Sequence, residues 1–296
     1  MPLALPAPVI SRTEPSPAPP RSHEFELLEL AGRGSFADVW KVRDRKTGRL
    51  YALKQLRKDR QDHPAARRLL ENEFEVGRKA SSEHVVKVCE ACVDAPLPYV
   101  ALEWLSGRTL ESRLAGQSRA SCREALWIAR QCAQGMHALL VSGYVHGDIK
   151  PSNIFLCDDG VVKLIDLGFA RPDRRSNTEL ADASSRNLMG TPEYLAPEAL
   201  LPGNLGGTTR DVYSLGVTLF RLLTGSLPFQ SESVTDVLKQ HQQSLPPRLR
   251  ALAPDVPREV ADFVSRLLSK QPLRRGGGLS WLVGELIGLE LLVLAD

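Results

Sequence analysis

Apolar residues between Phe25 and Leu56 come in short runs rather than long periodic stretches. "FELLEL" (25–30), "ADVWKVRD" (37–44) and "LYALKQL" (50–56) are separated by "AGRGSF" and "RKTG", both turn signals. Three strands are predicted there. "HPAARRLLENEFEVGRKAS" (63–81) then predicts a helix opening near Pro64, because proline's fixed φ and missing N–H suit a first helical turn. "HVVKVCEACVD" and "YVALEWL" return to strand composition. Residues 25–105 therefore predict a small, mostly antiparallel sheet with one helix.

After "SGRTL" the period changes. Ala125, Ala129, Cys132 or Ala133, Met136 and Leu140 recur at helical spacing and stop at Gly143. "DVYSLGVTLFRLLTG" (211–225) is apolar on nearly all sides, which predicts a helix buried in a core, and "REVADFVSRLLSK" predicts an amphipathic one. The second region is mainly helical, so the chain reads as α+β. No internal repeat is evident, which removes solenoid folds.

The two ends differ from the body. Residues 1–22, with "PSPAPP", read as a flexible, partly polyproline-like extension; a proline-reading partner domain is the alternative. The start lacks the basic and apolar blocks of a signal peptide. "LSWLVGELIGLELLVLAD" (279–296) has roughly the apolar length of a minimal bilayer span, but Glu285 and Glu290 make spanning costly. A helix docked on the body is expected, with a membrane or partner contact as the competing reading.

Composition changes this picture little. Of 296 residues, 43% are hydrophobic and 25% charged, as in ordinary soluble domains. A net charge of +3 is too mild to argue for nucleic acid or a membrane surface. The odd number of cysteines, five, forms no disulfide framework and favours a reducing, cytoplasmic location. Cys89 and Cys92 have CxxC spacing without a second pair, so they are expected to be small buried or half-buried thiols.

Candidate chemistry concentrates at two places. "GRGSFADV" (32–39) lies between strands, and its glycines would let backbone N–H groups approach phosphate oxygens. Lys54 in "YALK" follows on an apolar strand, where its charge needs an anion: a phosphate, or a carboxylate of the intervening helix. Glu73 is the favoured carboxylate, with Glu71 and Glu75 as neighbours. The second place is "HGDIKPSNIFLCDDGVVKLIDLG" (146–168). There Asp166 and Asn153 offer hard oxygen ligands for Mg²⁺, Asp148 a proton acceptor, and Lys150 a cation for a moving phosphoryl group.

These segments, in this order, resemble the protein kinase family: a glycine-rich loop, a VAIK-like strand, a catalytic loop "HGDIKPSN", a DFG-like "DLG", and an intact "APE" at Ala196–Glu198. The likeness runs from about Glu26 to Arg275 and looks closest to the eukaryotic-like serine/threonine kinases of bacteria. It implies a bilobal fold over residues 23–278, with an N-lobe at 23–102, a hinge at 103–106 and a C-lobe at 107–278. ATP would contact Gly32, Arg33, Gly34, Ser35 and Phe36. Val39, Ala52 and Phe155 would sandwich the adenine, beside Leu102, Glu103 and Leu105. Lys54, Glu73 and Asp166 would hold its phosphates and metal. Asp211 would anchor the catalytic-loop backbone, and Arg275 would pair with Glu198. "DIKPSN" and "GTPEYLAPE" look like serine/threonine rather than tyrosine kinases, and imply protein rather than small-molecule substrates, with Lys150 and Thr191 facing the transfer site.

Four positions depart from the family pattern. Ala37 replaces a third loop glycine, Leu167 the DFG phenylalanine, and Gly147 the arginine that in many kinases pairs with an activation-segment phosphate. Gly77 stands where a large apolar residue usually links helix to cleft floor, and predicts a looser helix with a less secure Lys54–Glu73 pair. A non-RD kinase is implied, whose principal switch is not phosphorylation of Ser176, Thr178, Ser184 or Ser185. The competing class is a pseudokinase acting as a nucleotide-gated scaffold; a small-molecule kinase is the third.

Overall fold

The structure is a computed structural model that describes residues 25–115, 119–173, 191–201 and 207–295. Its first part is a sheet of β1 (Phe25–Arg33), β2 (Ala37–Asp44), β3 (Leu50–Leu56), β4 (Val88–Cys92) and β5 (Tyr99–Glu103), crossed by α1 (Pro64–Lys79). The strand order is β1-β2-β3-β5-β4, antiparallel throughout. Alternation decides which side chains face which layer. Leu56, Val88, Val100 and Leu102 pack under α1 against its Ala66 and Leu70, while Phe25, Val42, Leu53 and Ala101 form a separate outer cluster. α1 begins at Pro64 as its sequence predicts, with the His63 side chain capping the N–H of Ala66.

The second part is mainly helical. It contains β6 (Gly107–Thr109), α2 (Leu110–Ala115), α3 (Cys122–Val141), β7 (Tyr144–Val145), β8 (Ile154–Cys157), β9 (Val162–Leu164) and β10 (Arg171–Pro172). α4 (Thr208–Thr224), α5 (Val234–Gln243), α6 (Leu249–Leu252), α7 (Arg258–Leu267) and α8 (Leu279–Ala295) complete it. Within it the strands form two short sheets, β6-β8-β9 and β10-β7, and residues 146–153 of the candidate catalytic loop run between β7 and β8. The two parts form the bilobal architecture that the sequence implies. α4 is buried on nearly every side, from Asp211 to Leu223, which is why its sequence shows no polar stripe.

The apolar C-terminal helix packs on α3 through Leu279, Leu282 and Leu286. Each of its carboxylates has a cation: Glu290 pairs with Arg130 at 2.8 Å and Glu285 with Arg266 at 2.7 Å. By length and composition alone Pro272–Ala295 could cross a membrane, and Ile287, Leu291 and Leu294 remain exposed.

The expectation of buried or half-buried thiols at Cys89 and Cys92 is wrong: both are free and exposed. β4 is an edge strand with a bulge between Val88 and Glu90, which turns these side chains to solvent. The residues 1–22 and the four candidate phosphosites Ser176, Thr178, Ser184 and Ser185 lie outside the described residues.

His241 of α5 is fully buried among Tyr213, Phe229 and the 191–201 segment. Nδ1 meets the Tyr213 hydroxyl at 2.8 Å, and Nε2 lies 3.1 Å from the Glu193 carbonyl. Burial, and then the nearby Lys270 charge, push its pKa down to about 4. A neutral native histidine adds stability above the unfolded value near 6.5, and that stability drains away as pH falls toward 4. Between pH 7 and 5 the loss should be on the order of 2 kcal/mol. Urea titrations of the wild type and His241→Gln at both pH values check it. The variant should lose markedly less stability on acidification, and an equal loss in both proteins would contradict the assignment.

Candidate active site

The turn Gly34–Phe36 joins β1 to β2, closed by the Gly34 N–H donating to the Ala37 carbonyl at 2.8 Å. Gly32 and Arg33 end β1, while Ser35 and Phe36 complete the turn. Antiparallel register sets Val39 opposite Lys54, and Ala52 opposite Leu102. Phe36, Ala52 and Leu105 pack partly buried against the Leu102 cluster. Phe155 is half-buried on β8 in the second part. Glu103 accepts hydrogen bonds from the Lys87 N–H at 2.8 Å and Lys163 Nζ at 2.9 Å, which fixes the strand end between the lobes.

Lys54 reaches two carboxylates at once. Its Nζ is 2.6 Å from Glu73 and 2.8 Å from Asp166. Glu73, rather than Glu71 or Glu75, is the α1 carboxylate that turns inward and is buried. Burial alone would lower the Lys54 pKa, but the charges of Asp166 and Glu73 outweigh it and hold the ammonium firmly protonated. Burial, aided by the repulsion of Asp166, raises the Glu73 pKa against the pull of Lys54. At Asp166 burial also pushes upward, but attraction to Lys54 and its hydrogen bond prevail and the pKa falls. Asp166 sits at φ 62°, a left-handed conformation rare for a residue with a side chain, and such strain clusters at functional sites.

The catalytic-loop candidates form a second cluster. Asp148 Oδ2 accepts from Lys150 Nζ at 2.7 Å and Asn153 Nδ2 at 2.9 Å. Its Oδ1 lies 3.3 Å from both the Thr191 N–H and hydroxyl. Lys150 Nζ also donates to Thr191 Oγ1 at 2.6 Å. The loop's backbone hangs from the buried helix: Asp211 accepts the N–H groups of His146 at 2.8 Å and Gly147 at 3.0 Å. Burial raises the Asp211 pKa, opposed by the nearby His146 and Arg171. His146 bridges the clusters, its Nε2 lying 3.1 Å from the Ile165 carbonyl just before Asp166.

Residues 25–282 match the protein kinase domain family. The chain belongs to that family. It is 27% identical to a probable serine/threonine-protein kinase of Clostridium perfringens, over 89% of this chain and 38% of the relative. Identity to serine/threonine-protein kinase PrkC of Bacillus subtilis is 29%, over 86% of this chain and 38% of that protein. With serine/threonine-protein kinase PknB of Mycolicibacterium smegmatis it is 30%, over 86% and 41%. The chain thus spans about two fifths of the length of these relatives.

Within this kinase domain the expectation attached to Gly77 fails. The Lys54–Glu73 pair is closed. A Cβ at Gly77 would come within 2.0 Å of a Val88 methyl and 3.4 Å of Leu167, so the neighbours occupy the room a larger side chain would take. The helix is packed there, not loose. Gly147 has φ +80°, and a Cβ would lie 2.6 Å from the Phe169 carbonyl oxygen, so glycine relieves both backbone and contact strain.

One positioning residue escaped the sequence reading. Asn72 precedes Glu73 on α1, and its amide nitrogen meets the carbonyls of Gly168 at 2.8 Å and Ala170 at 2.6 Å, with Leu167 further off at 3.4 Å. α1 is thereby tied to the short 3-10 turn that directly follows Asp166. The only sequence signal is an asparagine inside a helix, where its side chain weakly disfavours the helix and so invites a tertiary reason.

Proposed function

We propose that this protein is an active, Mg·ATP-dependent serine/threonine protein kinase. The observation that carries the reading is that Lys54–Glu73–Asp166 and Asp148–Lys150–Asn153–Thr191 form two side-chain clusters joined by the Ile165 N–H, which donates to the Asn153 carbonyl at 2.9 Å. ATP would lie under Gly32–Phe36, its adenine between Val39, Ala52 and Phe155 and beside Leu102, Glu103 and Leu105, with Lys54 on its phosphates.

Asn153 and Asp166 would hold Mg²⁺. Asn153 commits its Nδ2 to Asp148, which leaves the amide oxygen as the end to face a cation. Among the described residues no three His, Cys, Asp or Glu side chains converge on one point. That donor set suits Mg²⁺, which binds through one or two carboxylates while keeping waters and phosphate oxygens. When bound, the ion neutralises phosphate charge. Asp148 would take the acceptor hydroxyl's proton, and Lys150 would balance charge on the group in transit. The preformed Lys54–Glu73 pair and the intact Asp148 cluster favour catalysis over a scaffold, which needs neither a proton acceptor nor metal ligands. The bacterial relatives, which are named serine/threonine-protein kinases, support serine and threonine of proteins as acceptors. Five free cysteines support a reducing, cytoplasmic setting.

The test is incubation of purified protein with Mg²⁺, γ-labelled ATP and a generic basic protein, followed by phosphoamino-acid analysis. Label on serine or threonine, abolished by EDTA, is expected. No label, but thermal stabilisation by nucleotide, would replace the kinase with the scaffold. If Asn72 ties α1 to Asp166, Asn72→Leu should lower the transfer rate about tenfold at saturating ATP, equivalent to about 1.4 kcal/mol. A rate within about twofold of wild type, at unchanged melting temperature, would remove Asn72 from the machinery.

A further inference from the structure

Beside the Asp148 cluster lies a cavity of ≈ 520 Å³ whose lining includes Lys150, Thr191, Glu111, Tyr194 and Arg221. Lys150 and Thr191 both contact Asp148. An acceptor residue presented to Asp148 therefore brings its neighbours in the polypeptide to this cavity. Among the described residues the ionised groups of its lining are Lys150, Arg221, Glu111 and Glu193, two of each sign.

Two of these four cancel. Arg221 of α4 grips Glu111 of α2 in a fork, Nη1 to Oε2 at 2.8 Å and Nη2 to Oε1 at 2.9 Å. Its Nη1 also donates to the Tyr194 hydroxyl at 2.7 Å. Both Glu111 oxygens are thus satisfied, although its side chain is 45% exposed at the cavity. Lys150 is likewise engaged by Asp148 and Thr191. A half-exposed carboxylate next to a phosphoryl-transfer centre would ordinarily select a basic residue flanking the acceptor. Here the planar guanidinium, matched to a carboxylate in bidentate geometry, occupies that position.

We propose that Arg221 is a specificity-determining residue: by neutralising Glu111 it suppresses selection for lysine or arginine at the one flanking position that faces Glu111, whatever Glu193 selects elsewhere in the cavity. This rests on the protein-kinase reading. It concerns which sequences are chosen, not whether phosphate is transferred.

The experiment compares kcat/KM for serine peptides carrying arginine, alanine or glutamate at each flanking position, with wild type, Arg221→Met, Glu111→Gln and the double variant. At the position that faces Glu111, identified as the one where the variants differ, wild type should show an arginine-to-alanine ratio near one. Arg221→Met, with Glu111 released, should favour arginine about fivefold at one position, the worth of a single partly exposed ion pair. Glu111→Gln, with Arg221 released, should instead favour glutamate at that position, and the double variant should return to indifference. Glu111→Gln changes a half-exposed side chain isosterically, so it reads the subsite even if Arg221→Met folds poorly. Peptide binding by fluorescence anisotropy, with a non-hydrolysable ATP analogue, reads the same preferences without turnover. Transfer by wild type with no change of preference in either single variant would overturn the proposal, as would a wild type that already prefers arginine at the position where the variants differ. Absence of transfer with the preferences intact in the anisotropy titration would overturn the kinase reading and leave the subsite standing.

Discussion

Asp148→Asn is expected to lower phosphoryl transfer about a thousandfold, within the range of a positioned general base, while ATP affinity stays within about threefold, under 1 kcal/mol. The expectation follows from where each Asp148 oxygen points. Oδ2 receives Lys150 and Asn153, and Oδ1 faces Thr191, which lines the cavity proposed for the acceptor. Asparagine keeps the shape, so the loop held by Asp211 should survive, but it carries no charge and takes no proton. Lys150, 22% exposed, would lose its counterion while keeping Thr191. The residues proposed to hold ATP include Lys54 and Asp166, and Lys54 pairs with Glu73 and Asp166 rather than with Asp148. Initial rates with labelled ATP, and ATP titration by calorimetry, separate the two quantities. A rate loss under tenfold would deny Asp148 the role of base. A parallel loss of ATP affinity would instead mean a collapsed cleft.

Much of this was legible in the sequence because it is local or periodic. Short apolar runs between turn signals gave the strands, Pro64 marked the start of α1, and the unbroken apolar surface of residues 211–225 foretold a buried helix. Lys54, Asp148, Asn153 and Asp166 stood out as candidates because the proposed chemistry needs those residue types in that order. What was hidden depends on side chains from distant elements meeting in space. Gly77 looked like a defect because nothing near it in sequence shows that Val88, across the sheet, fills the gap. Asn72 binds carbonyls of Leu167, Gly168 and Ala170, far along the chain. Arg221 reads as an ordinary helix cation until α2 brings Glu111 against it. The exposure of Cys89 and Cys92 follows from the order of the strands, which strand-like composition alone does not contain.

Removing Arg275 should have the largest effect on stability: Arg275→Met is expected to cost 3 kcal/mol or more, about the range for breaking a buried ion pair. Both partners are almost wholly enclosed, with side chains 1% and 2% exposed. Arg275 holds Glu198 through both nitrogens, Nη2 to Oε2 at 2.7 Å. It also donates from Nη1 to the Thr209 carbonyl at 2.8 Å and from Nε to the Ser269 carbonyl at 2.9 Å, and lies 4.8 Å from the Tyr213 ring. Methionine fills much of the volume, but it strands a buried carboxylate and leaves two carbonyls without their donor. Lysine should rescue only partly, since one ammonium cannot make the planar fork. Most of the cost is the stranded charge, so adding Glu198→Gln should recover part of the loss, making the two changes clearly non-additive. Urea unfolding with a shared m-value measures this, and a cost below about 1 kcal/mol or strict additivity would show that water reaches the pair. The pair ties the 191–201 segment, which carries Thr191 and Tyr194 at the acceptor cavity, to the turn before α8. Disturbing it should therefore also raise the KM for a peptide acceptor before it touches the KM for ATP.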